Sequence, residues 1–264
     1  MEELNPEEFL KLSEKPKAKR KRIRLASLDY LVSRFDEAHK AFYKRKDKSF
    51  WYFHEGPCLF FHRRTIERYR ELRREQNFSY QRLVSDTKYL EYLYATLTAW
   101  GLNRPGTTLK LVNFDKFAKV LQTSELTSLL DDIKDFKIEN VSSDGLTSIQ
   151  KKMNDIFGLF GEKTKITLAE DHLITTSKVL HHLHPDLLPP IDRRYTLWLL
   201  RGLEETHYRP LYSNDFNTWW RVFLCFHYVA IKKRDFSSYT ERMDTSIPKI
   251  IDNALVGYGS LDNP

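Results

Sequence analysis

Apolar residues in this chain recur at three- and four-residue steps, the spacing of amphipathic helices rather than the alternation of strands. Leu25, Leu28, Leu31, Val32, Phe35, Ala38, His39 and Phe42 make one such stripe and predict a helix over 22–46. A second, over 58–76, turns Phe60, Phe61, Ile66, Tyr69 and Leu72 inward. A third, over 79–100, carries Leu83, Leu90, Leu93, Tyr94, Leu97 and Trp100, and Gly101 ends it. Further helices are predicted over 113–123, 125–136, 144–158, 170–184, 192–203, 214–233 and 245–256, with a short acidic one over 6–12. Asn113, Ser124 and Asp144 are N-cap candidates, and Asp215 or Asn214 opens the helix over 214–233. The segment FNTWWRVFLCFHYVAIK within 214–233 is apolar nearly all round, which predicts a buried central helix. The stretch 101–112 reads as a loop.

The expected fold is therefore all-α, a compact array of about ten helices. A basic segment over 1–24 leads into an N-terminal helical part over 25–112, and a more apolar C-terminal part over 113–264 follows.

Composition narrows this picture. Only 9 Gly and 10 Pro disfavour a turn-rich all-β protein, and 14% aromatic residues disfavour a disordered chain. The two cysteines, Cys58 and Cys225, exclude a disulfide framework, a four-cysteine zinc site and a four-cysteine iron–sulfur cluster within the chain, and read as core thiols. No run of 18 uncharged apolar residues is present, so no membrane span is expected. The acidic first residues lack the apolar core of a secretory signal, and an intracellular location is the expectation. No glycine-rich phosphate loop occurs and no cofactor is expected.

The net charge of +7 permits a polyanionic partner, and its distribution says more. Residues 15–24, KPKAKRKRIR, hold seven basic residues and no acid. Lys19, Arg20, Lys21 and Arg22 are candidate phosphate contacts there, and such binding is salt-sensitive. The helix over 58–76 carries six Arg interleaved with Glu67, Glu71 and Glu75. That is the pattern of a solvated face with internal ion pairs, from which Arg63 and Arg64 are candidate contacts.

The stretch 168–203 holds the candidate chemistry. Pro185, Pro189 and Pro190 break two helices apart, and Asp192 stands where the second begins, as an N-cap. Along the first helix Leu173, Thr176, Val179, Leu180 and Leu183 share one face. Lys178, His181 and His182 take the other. His181 and His184 have i,i+3 spacing, but no well-spaced carboxylate joins them and no metal site is expected. Trp100, Trp198, Trp219 and Trp220 are candidate pocket walls.

The run Thr175-Thr176-Ser177-Lys178-Val179-Leu180, a break, then a proline pair and Asp192 resembles the core of the helix-hairpin-helix DNA glycosylases. The resemblance spans some 35 residues. Residues 168–172 read Leu-Ala-Glu-Asp-His where that family carries a glycine-containing hairpin, and Lys178 and Asp192 are 14 positions apart, about one helical turn closer than in the family. The resemblance implies two helical lobes with a cleft, DNA as partner (RNA as the other candidate), and excision of a modified base. Asp192 would be the carboxylate that stabilises the sugar cation and Lys178 the candidate nucleophile. His181, His182, Arg193 and Arg194 would lie along the nucleic acid. The alternative is a helical nucleic-acid-binding or protein-interaction module without catalysis.

Overall fold

A computed structural model describes residues 28–44, 56–102, 110–160, 165–168, 172–192, 195–197 and 215–261. The fold is all-α, as expected. The described helices are α1 (Leu28–Ser33), α2 (Phe35–Lys44), α3 (Pro57–Arg73), α4 (Tyr80–Ser85), α5 (Thr87–Ala99), α6 (Phe114–Leu121), α7 (Ser124–Asp131), α8 (Ser143–Gly158), α9 (Leu173–Leu183), α10 (Asp215–Lys233) and α11 (Ile247–Leu261). A 3₁₀ turn at Ile138–Asn140 precedes α8. Extended pairing among the described residues is limited to one bridge, Leu111 with Thr167. The expected acidic helix over 6–12 lies outside the described residues.

Local chemistry explains the boundaries. The helix expected over 79–100 is two helices. Ser79 caps α4 by accepting the Arg82 N–H, and Asp86 leaves helical geometry to cap α5 through the Tyr89 N–H at 2.7 Å. Asp86 is also fixed by Arg68 at 2.6 Å, so the break is doubly anchored. The helix expected over 22–46 divides at Arg34 into α1 and α2. Gly101 ends α5 at φ 94°, a conformation that favours glycine, and the Leu102 N–H closes back on the Leu97 carbonyl. Asn113 caps α6 as expected. The caps of α7 and α8 fall at Thr123 and Ser142 instead of Ser124 and Asp144, which take the N1 and N2 positions.

On α3 the buried stripe is Cys58, Leu59, His62, Thr65, Ile66, Tyr69 and Leu72. Phe60, expected inside, is 53% exposed, with the Arg64 guanidinium 5.5 Å from its ring centre. A stripe placed by apolar residues alone omits His62 and Thr65. Both belong to the buried stripe because their polar atoms find partners inside.

The helix α10 is the central buried element. Trp219, Trp220, Phe223 and Phe226 lie in its interior-facing stretch, and Trp220 stacks on Phe223 at 5.1 Å. The main apolar cluster runs from Leu28 to Tyr258 without a division at 101–112. Across the two expected lobes, α2 packs along α11 so closely that a Cβ at Gly257 would overlap the Ala38 carbonyl and sit 2.6 Å from the Phe42 nitrogen. No helix among the described residues is long and apolar enough to cross a membrane.

Candidate functional site

The site is built around α9 and the segment that leaves it. After Leu183 the chain turns through His184–Leu188, where the Leu187 and Leu188 N–H groups bond the His184 carbonyl. The return segment is hooked onto α9 by the Ile191 N–H, which donates to Ser177 Oγ at 3.1 Å. Asp192 then makes a reciprocal cap. Its Oδ1 accepts the Tyr195 N–H at 3.0 Å, and its own N–H donates to Thr196 Oγ1 at 3.0 Å. The expected N-cap role of Asp192 is thus present, and it fixes the carboxylate in space.

Lys178 and Asp192 act on each other electrostatically. Part of the Lys178 side chain meets solvent. Protein nonetheless encloses the amine closely enough that desolvation holds its pKa below the usual lysine value. Asp192 and Asp252 oppose that shift, and Lys249 adds to it. The Lys178 Nζ lies 5.7 Å from the ring centre of Trp100, at the end of α5. Of the four tryptophans expected to wall a pocket, Trp100 is at this place. Trp219 and Trp220 are core residues, and Trp198 lies outside the described residues.

His181 and His182 require correction. A helical wheel sets them on an open face with Lys178, in reach of nucleic acid. Both are fully buried, because α9 is covered by α3, α5 and α10. Their ring nitrogens serve the interior. His182 Nδ1 lies 2.7 Å from the Lys178 carbonyl, which only accepts, so Nδ1 carries the proton. Its Nε2 therefore accepts from His62 Nδ1 at 3.0 Å, and His62 Nε2 accepts from the Thr245 hydroxyl at 2.8 Å. The result is a one-way chain from Thr245 through His62 and His182 to the backbone of Lys178. His181 donates Nδ1–H to the Leu188 carbonyl at 2.9 Å, and its Nε2 is buried without a partner. Burial disfavours the imidazolium throughout: His62 and His181 sit well below the usual histidine value, and His182 falls to about 4. His184 is spent separately, on the Ile133 carbonyl at 3.1 Å. Among the described residues no group of three His, Cys, Asp or Glu is placed to hold a metal ion.

The other expected contacts divide in two. Arg63 and Arg64 stand on the exposed face of α3, each with Glu67, at 3.4 and 3.2 Å. Lys19, Arg20, Lys21, Arg22, Arg193 and Arg194 lie outside the described residues. Cys58 is buried and donates its thiol to the Ala99 carbonyl, and Cys225 is buried in α10.

Two residues at the site escaped the sequence reading. Lys249 and Asp252, one turn apart on α11, pair at 2.5 Å. The Lys249 Nζ is 5.3 Å from the ring centre of the same Trp100. Their signal was a Lys and an Asp at i,i+3 within an otherwise apolar helix, which is a common surface pattern. A separate cavity of about 210 Å³ opens beside Thr245, lined in part by Lys137, Glu139, Asp186 and Phe236, and it includes neither Lys178 nor Asp192.

Comparison with protein-family descriptions, curated proteins and solved structures returned no match for the chain.

Proposed function

We propose that the protein excises a base from DNA, with Asp192 and Lys178 as its reacting pair. The observation that carries this reading is their convergence: a carboxylate fixed by the Tyr195 N–H acts on a desolvated amine from the preceding helix. Cleavage of an N-glycosidic bond builds positive charge on the sugar, and a nearby carboxylate stabilises it. Asp192 is oriented for that task by the Tyr195 N–H. A desolvated lysine is more often neutral at a given pH, and only the neutral amine has a lone pair to give. Lys178 would donate it to C1′ of the sugar. The C1′–N bond would break, and the base would leave with the bonding pair and take up a proton. Trp100 places an aromatic ring beside the amine, within 5.7 Å of the Lys178 Nζ. A cleft between two helical lobes, and phosphate contacts from the basic segments, belong to the same proposal.

The test is base release from duplexes that each carry a different modified base, read as alkali-labile sites. Asp192→Asn is the control, since asparagine preserves the cap while removing the charge. The reading expects release that falls about 100-fold or more in that variant. Salt-sensitive binding with no release from any duplex would favour the non-catalytic nucleic-acid-binding module.

A further inference from the structure

Helix α11 is apolar along most of its buried face, yet it buries Lys249 and Asp252, each 6% exposed. A buried ion pair loses more hydration than its attraction returns unless its geometry is complete, and apolar residues of similar size often serve stability as well. This pair is not complete. Asp252 uses Oδ2 for Lys249, while its Oδ1 is buried with no hydrogen-bond partner. Stability alone does not account for it.

Its position does. Lys249 and Lys178 both set their ammonium groups over Trp100, at 5.3 and 5.7 Å from the ring centre, so the two nitrogens are no farther apart than the sum of those distances. Asp252 acts on Lys178 and on Asp192 as well as on Lys249. We propose that Lys249 and Asp252 are positioning residues for the Lys178 amine: their opposed charges, held at one tryptophan ring, set how readily Lys178 releases its proton and becomes a nucleophile. The inference rests on the reading of Lys178 as the reacting amine, and its test needs no nucleic acid.

The charged and titratable groups that act on or touch the site come from every side. Cys58 and His62 come from α3, His181 and His182 from α9 itself, Asp192 from the return segment, and Lys249 and Asp252 from α11. The two α11 groups have opposite signs. Lys249 disfavours a second positive charge beside it, and Asp252 favours one. Removing them one at a time therefore moves Lys178 in opposite directions, which loss of packing would not do.

Trace acetylation with acetic anhydride across a pH series, read lysine by lysine by peptide mass spectrometry, gives the midpoint at which Lys178 becomes reactive. In the wild-type protein that midpoint lies below the ordinary lysine value of about 10.4. Lys249→Met raises it by about one pH unit, Asp252→Asn lowers it by a similar amount, and Lys249→Arg leaves it in place. Circular dichroism confirms folding, and if Lys249→Met does not fold, Asp252→Asn carries the test. A Lys178 midpoint that ignores the charge changes, or moves the same way in both variants, overturns the proposal, as does a Lys178 that no pH makes reactive. A protein that releases no base still returns one of these answers, so failure of the tuning and failure of base excision are read separately.

Discussion

His62 donates its Nδ1–H to Nε2 of His182 across 3.0 Å and thereby joins α3 to α9 through two neutral imidazoles. His182 must stay neutral for that bond to form, because an imidazolium there has no lone pair to accept it. Protonation is costly here in any case. His182 and His184 titrate at about 4 in the folded protein against a usual value of 6.5, and His62 and His181 lie well below it. Below pH 6.5 the unfolded chain binds more protons than the folded one. The contribution of these groups is therefore complete above 6.5 and is lost as pH falls toward 4, at up to about 1.4 kcal/mol per pH unit for each. Urea denaturation measured between pH 7.5 and 4.5 should show stability falling steeply through this window, and His182→Gln should flatten the slope. A flat profile in the wild type would contradict the assignment of neutral buried histidines.

The contact of α2 with α11 predicts a contrast between two glycines. Gly257→Ala forces a methyl group against the Ala38 carbonyl and the Phe42 nitrogen, both backbone, and should destabilise the fold by about 2–3 kcal/mol. Gly158 lies exposed at the end of α8 with nothing within 4 Å of an added Cβ, so Gly158→Ala should stabilise by about 0.5–1 kcal/mol. Thermal denaturation of the two variants reads both signs.

Asp86 both caps α5 and pairs with Arg68. Asp86→Ala should cost about 1–2 kcal/mol in chemical denaturation, more than Arg68→Ala, which leaves the cap in place.

Arg63 and Arg64 test the DNA-binding part of the proposal. Among the described residues their ion pairs are with Glu67 on an exposed face, so replacing both with glutamine should change stability by less than about 0.5 kcal/mol. If both contact phosphates, the slope of log affinity against log salt should shrink by about 2 in gel-retardation or anisotropy titrations.

The helical periodicity was legible wherever apolar residues made up the buried stripe, as on α10, and wherever a side chain could cap, as at Asn113. It failed at Asp86, where a cap candidate inside a continuous apolar pattern looked like an ordinary helix position. It failed again on α3, where buried His62 and Thr65 are polar and exposed Phe60 is not. At the site, Asp192 was legible because prolines punctuate the chain just before it. His181 and His182 were misplaced because a wheel drawn from hydrophobicity assumes one open face, and α9 has neighbours on several sides. Lys249 and Asp252 were invisible, since only tertiary packing brings α11 to Trp100, about 150 residues earlier in the chain.

The central claim is that Lys178 is a reacting amine served by Asp192. Borohydride reduction of the protein with modified-base duplexes tests it most directly, because it converts a lysine–sugar imine into a stable adduct that peptide mapping can locate. The account predicts an adduct at Lys178 that disappears in Lys178→Gln and weakens sharply in Asp192→Asn. Base release accompanied by an adduct at another lysine, or release that survives Lys178→Gln undiminished, would contradict it.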